Sequence, residues 1–136
     1  MLKPKQSVAY LYSDYTVRQS LEKMNHYGYS AIPVISREGK YVGVVSEGDF
    51  LWYLTGLVRS GALLNERELE KQPLSAVKLR NRISAVSITA DPDTLIDTAM
   101  RQNFVPVVDD LGSFIGIVTR KDIIKRLSDK AGVSHK

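Results

Sequence analysis

Two stretches of the chain carry the same alternation of short apolar runs and polar turns. Pro33-Val34-Ile35 and Tyr41-Val42-Gly43-Val44-Val45 flank a polar turn containing Gly39. Short β-branched runs around such a turn predict a hairpin of buried strands. Pro106-Val107-Val108 and Phe114-Ile115-Gly116-Ile117-Val118 do the same around Gly112. Each proline is expected to open its strand, where no ladder hydrogen bond is lost. Ahead of the first hairpin, Val17, Leu21, Met24 and Tyr27 fall at helical spacing behind Thr16 as cap and before Gly28 as stop. Ahead of the second, Asp91-Pro92-Asp93-Thr94 leads into Leu95, Ile96, Ala99 and Met100. A further helix is predicted after each hairpin, from Asp49 to Leu54 and from Asp122 to Leu127, and strands at 8–12 and 83–88 lead into the two copies. The predicted unit is strand, helix, strand, strand, helix, an α/β (α+β) arrangement used twice.

The two copies realign without a gap over the hairpin. Pro33 and Pro106, Gly39 and Gly112, Gly43 and Gly116, and Asp49 and Asp122 are each 73 residues apart. A tandem repeat therefore organises the chain. From Thr16 to Pro33 is 17 residues and from Thr94 to Pro106 is 12, so on this alignment the second copy lacks five residues, more than a helical turn. The expected division is a first repeat at 7–58, a connector at 59–82, a second repeat at 83–128 and a frayed tail at 129–136. The connector is expected to be structured, because Leu57, Val58, Leu63, Leu64, Leu69, Leu74 and Val77 punctuate it and glycines are few.

Composition narrows the chemistry. In 136 residues there is no cysteine, which removes disulfides, thiolate nucleophiles and cysteine-based zinc sites and fits a reducing compartment. No apolar run approaches the roughly 18 residues of a membrane span, and the N-terminus lacks a signal-peptide pattern, so a cytoplasmic protein without membrane contact is expected. The net charge of +4 raises the question of nucleic acid, but acidic residues are interspersed throughout. The densest basic stretch, Lys78-Leu79-Arg80-Asn81-Arg82, lies in the connector, so a nucleic-acid partner is not expected. No Ser/His/Asp, Cys/His, HExxH or Walker-type arrangement is present, and His26 and His135 are the only imidazoles. Asp109-Asp110 reads as turn chemistry. Neither catalysis, a resident cofactor nor a metal is expected.

The two endings, Gly43-Val44-Val45-Ser46-Glu47-Gly48-Asp49 and Gly116-Ile117-Val118-Thr119-Arg120-Lys121-Asp122, with the unit order and the Ile32-Pro33-Val34 and Val105-Pro106-Val107 strands, resemble the CBS-domain pattern over residues 7 to 128. The resemblance implies two βαββα repeats packed as a Bateman module with two clefts. It also implies an adenine-nucleotide ligand of the AMP, ADP, ATP or cyclic di-AMP class, a homodimer, and an effector protein that reads ligand occupancy. In that family ribose hydroxyls meet the motif Asp, and phosphates lie near the motif Thr or Ser and adjoining cations. Carried onto this chain, the first cleft would use Thr119, Arg120, Lys121 and Asp122 with Tyr10, Tyr12, Thr16, Tyr29, Ser30, Ala31 and Pro33. A second would use Ser46 and Asp49 with Ser87, Ala90, Phe104 and Val105. The second is expected to be weaker, because Glu47 stands where the first has Arg120 and the shortened segment falls on it. Ser46 with Asp49 equally fits a helix cap that needs no ligand, whereas for Thr119 with Asp122, beside Arg120 and Lys121, ligand binding is favoured over a cap alone; a constitutive protein-interaction module with no ligand is the alternative reading. The tyrosines equally fit packing positions. Phe50 and Trp52 read as core or dimer-face residues.

Overall fold

The computed structural model describes residues 2–130. In chain order its elements are β1 (Lys3–Pro4), β2 (Leu11–Tyr12), α1 (Val17–Tyr27), β3 (Ala31–Ile35), β4 (Tyr41–Ser46), α2 (Glu47–Arg59), α3 (Glu66–Lys71), β5 (Val86–Ser87), α4 (Pro92–Arg101), β6 (Phe104–Val108), β7 (Phe114–Thr119) and α5 (Arg120–Lys130). The twice-used strand, helix, strand, strand, helix order is present, and the chain divides into two compact units.

One unit is Ala9–Arg82, with a three-stranded sheet in the order β2-β3-β4. Leu11 and Tyr12 run parallel to Val34 and Ile35, and β3 is antiparallel to β4. Helix α1 starts as expected: the Thr16 side chain accepts from the Gln19 N–H, and the Gln19 side chain reaches back to the Thr16 N–H. Ser46 and Asp49 make the same reciprocal box for α2. The hairpin turns on Gly39 at φ 87°, a conformation that a side chain would strain, and Gly112 repeats it at φ 80°. One apolar cluster gathers Leu11, Val17, Val34, Val45 and Phe50 with Leu74 and Val77 of the connector, and Tyr15, Leu21, Tyr53, Leu69 and Leu79 pack against it. The connector thus inserts into the core of this unit. It is tied down by Val17 N–H to Gln72 O (2.8 Å), Leu74 N–H to Tyr15 O (2.8 Å), and an ion pair from Arg18 of α1 to Glu70.

The other unit joins the residues up to Val8 to those from Ile83 onward. Its sheet order is β1-β7-β6-β5, with Lys3 opposite Ile117 and Pro4 opposite Gly116. Its core is Val86, Ala99, Val105, Val107, Val118 and Ile123, edged by Ala90, Leu95, Ile96 and Ile115.

The structure corrects several expectations. The leading strands shrink to two residues each, Leu11–Tyr12 and Val86–Ser87, because parallel pairing exists only opposite 34–35 and 107–108. Pro33 and Pro106 lie inside their strands, not at the start. They are tolerated because β2 and β5 pair only beyond them, from Val34 and Val107, which leaves one flank unladdered at each proline. The shortening of the second copy is two residues, not five. Asp91, not Thr94, caps α4, its side chain accepting from Thr94 N–H at 2.8 Å with Pro92 in the first turn. Thr16 therefore corresponds to Asp91, which stands 15 residues before Pro106. The tail expected at 129–136, with His135, lies outside the described residues beyond Lys130.

Candidate functional site

Corresponding side chains of the two copies lie 75 residues apart before the hairpins and 73 within and after them. The contrast is sharpest at the motif acids. Asp49 is 2% exposed, and both its oxygens are used: Oδ2 accepts from Ser46 N–H at 2.9 Å and Oδ1 from Arg80 N–H at 3.1 Å. It therefore caps α2 and also holds the connector. Leu79 lies against Gly43, where a Cβ would stand 2.7 Å from its Cδ1, much as Leu2 lies against Gly116 at 3.0 Å.

At Asp122 the Thr119 hydroxyl accepts from the backbone N–H at 3.2 Å, so half of the cap is present. The carboxylate oxygen Oδ2 is buried without a hydrogen-bond partner among the described residues. A hydrogen bond from Thr119, aided by the charge of Lys3, holds this carboxyl below its usual value against the opposing effect of burial. Asp122 lines a groove of about 1090 Å³, about the upper limit of the 300–1,000 Å³ usual for small-molecule sites. Its walls are apolar, with Val86, Ile88, Leu95, Ile96, Val118, Ile123 and Leu127, and its polar groups are Ser87, Lys125, Arg126, Asp129 and Lys130. Ala90 borders it as well.

Ser87 and Ala90 thus share one groove with Asp122 of their own unit. Arg120 turns away to the end of α4, where Nε donates to Ala99 O at 2.6 Å and a terminal nitrogen to Met100 O at 3.2 Å. Lys121 is exposed on α5. Phe104 sits opposite Thr119, and Val105 is fully buried opposite Val118.

In the other unit Tyr10 and Tyr12 meet edge to face at 5.6 Å, and Tyr12 meets Tyr15 at 5.7 Å. The Arg37 guanidinium lies 4.0 Å from the Tyr12 ring centre and pairs with Asp14 at 2.7 Å, and the Lys23 ammonium lies 5.2 Å from Tyr10. The Thr16 hydroxyl, besides capping α1, donates to Glu70 at 3.3 Å. Tyr29 stacks on Tyr27 at 5.7 Å, and the Ser30 carbonyl accepts from Glu47 N–H at 2.9 Å. Ala31 pairs with Ser46, and Pro33 is buried opposite Val44. Phe50 is core, whereas Trp52 is 52% exposed under the Arg80 guanidinium at 4.7 Å.

Sequence reasoning missed Lys125, Arg126 and Lys130. Their spacing from Asp122, three, four and eight residues, placed them on its face of the helix. Asp109 behaves as expected of a turn residue, its Oδ1 accepting from Leu111 and Ser113 N–H groups. Among the described residues no group of three or more potential ligands could hold a metal ion, and no helix is long and apolar enough to cross a membrane.

Comparison with known proteins agrees with this architecture. The CBS domain family model matches residues 3–56 and 77–129. An uncharacterised protein of Methanocaldococcus jannaschii is 28% identical over 88% of this chain, which spans only 45% of that protein's length. A second uncharacterised protein of the same organism is 34% identical over 72% of the chain and 73% of its own length. Among solved structures, CbpB in complex with c-di-AMP superposes with a TM-score of 0.83 at 25% identity, covering 96% of this chain and 83% of that one.

Proposed function

The chain belongs to the CBS-domain family, and from that premise we propose that it is a non-catalytic sensor that binds an adenine nucleotide in the groove at Asp122 and signals through altered partner binding. The observation that carries this reading is the contrast between the two motif acids. Asp49 has both oxygens satisfied by the chain itself, whereas Asp122, which lines a groove with apolar walls, keeps one buried oxygen without a hydrogen-bond partner among the described residues. An unpaired buried acceptor costs about 1–3 kcal/mol, which a donor from a ligand recovers. A ribose hydroxyl supplies that donor. Lys125, Arg126 and Lys130 supply positive charge for phosphates, and Ile88, Leu95 and Ile96 supply an apolar bed for the base. That CbpB has been solved with c-di-AMP supports an adenine-containing ligand.

Calorimetric titration with AMP, ADP, ATP and cyclic di-AMP tests the reading. The expected result is saturable binding of at least one of them at one site per chain, abolished by Asp122→Ala and retained by a folded Asp49→Asn variant. Absence of heat with all four ligands, in protein shown by circular dichroism to be folded, rejects it.

A further inference from the structure

We propose that the groove between α4 and α5 is a docking site for a short apolar segment of a partner protein, seated as this chain seats its own connector in the sister groove. The internal repeat supplies the template. Around Leu74 and Val77 stand Val17, Val34, Val45 and Phe50. Their counterparts are Pro92, Val107, Val118 and Ile123, and all four line the groove of the second copy. There Leu2 lines one edge, and the groove still keeps a volume of about 1090 Å³. The second copy is also roomier, with Ala90 in place of Tyr15 and Ile123 in place of Phe50. Ile88 and Leu127, 50% and 46% exposed, remain at its rim.

Charge sets the chemistry of the occupant. In the first copy the Tyr53 hydroxyl donates to the Gln72 side chain, two residues before Leu74. Position 53 corresponds to Arg126, flanked by Lys125 on α5. The segment that fits carries two apolar residues three apart, as in Leu74-Ser75-Ala76-Val77, and a carboxylate two residues before the first of them. A backbone N–H of that segment would meet Asp122 as Arg80 meets Asp49. Segment and nucleotide then exclude each other, a consequence that rests on the nucleotide reading, whereas the docking itself does not.

The probe is a synthetic peptide of residues 65–81 and its Gln72→Glu version, titrated into isotope-labelled full-length protein by NMR. The expected result is saturable shifts at Ala90, Ile96 and Ile123, tighter binding of the Glu version by about two- to fivefold at low salt, and loss of binding in Ile96→Asp but not in Leu111→Asp. Failure to bind up to millimolar peptide overturns the proposal. Equal binding of a scrambled peptide, or shifts confined to Val17, Val45 and Phe50, does so too. Displacement of bound peptide by nucleotide is read separately. A peptide that binds but is not displaced overturns only the exclusion, and a nucleotide that fails to bind at all overturns only the nucleotide reading.

Discussion

Replacing Leu74 by alanine tests whether the connector is part of a folded core or a tether. Leu74 is 3% exposed and sits in one cluster with Val17 and Phe50. The change removes three buried carbons. At about 0.8 kcal/mol per buried methylene the transfer loss is about 2.4 kcal/mol. The residual cavity adds to it, placing the expected loss near about 3 kcal/mol within the about 2–5 kcal/mol seen for such truncations. Leu63, in the same connector but 78% exposed, is the control, and its alanine variant should stay within about 0.5 kcal/mol of the parent. Urea denaturation followed by tryptophan fluorescence measures both. The single tryptophan, Trp52, carries the connector's Arg80 guanidinium 4.7 Å from its ring, so its emission reports connector release as well as unfolding. The expected result for Leu74→Ala is a lower midpoint with an unchanged slope, and a melting temperature lower by about 10 °C. A cost under about 1 kcal/mol, or one equal to that of Leu63→Ala, would refute the assignment of the connector to this core.

Two further outcomes follow from close contacts and from titration. Gly116→Ala would drive a Cβ into the Lys3 backbone carbonyl, whereas at Gly43 the obstacle is the end of the Leu79 side chain, which can rotate. Gly116→Ala should therefore cost about 1–3 kcal/mol and Gly43→Ala less; equal losses in urea denaturation would contradict this. The Thr94 N–H holds the Asp91 carboxyl below its ordinary value, so this cap stabilises the fold above the unfolded carboxyl range near about pH 3.9 and is lost as pH falls through the folded value. Asp91→Ser keeps a cap without the titration, so melting temperature should fall less steeply between about pH 4 and pH 2 than in the parent; identical slopes would contradict the assignment.

The parts of the fold legible in the sequence are those carried by local signals. Thr16, Ser46 and Gly28 mark helix ends through side-chain caps or a left-handed turn, and Gly39 and Gly112 mark the hairpins. The size of the shortened segment was misjudged because Asp91 and Thr94 are both good caps, and only the helical position of Pro92 distinguishes them. The pairing of β1 with β7 was not legible, since Met1-Leu2-Lys3-Pro4 carries no strand pattern and its partner lies more than a hundred residues away. At the candidate site, the family resemblance names Asp122 for one cleft and Ser87 and Ala90 for the other; that the three share one groove is a product of packing, which the sequence pattern does not carry. The insertion of Leu74 and Val77 into the first core likewise depends on the return path of the chain, which periodicity does not encode.

The pairing of β1 with β7 also bears on the order of events during synthesis. Residues 9–82 form a compact unit and can close as soon as they are made. The strand Lys3–Pro4, made before all of them, has to wait for Gly116 and Ile117. The loop-closure penalty is modest, because each doubling of loop length costs only about 0.6 kcal/mol. The delay is the greater cost. Until β1 docks, β7 is the bare margin of its sheet, and its sequence Phe114-Ile115-Gly116-Ile117-Val118-Thr119 contains no charge or proline to discourage another chain from adding there. A nascent or locally opened molecule is therefore most vulnerable to aggregation at this strand, and a segment made more than a hundred residues earlier serves as its cover.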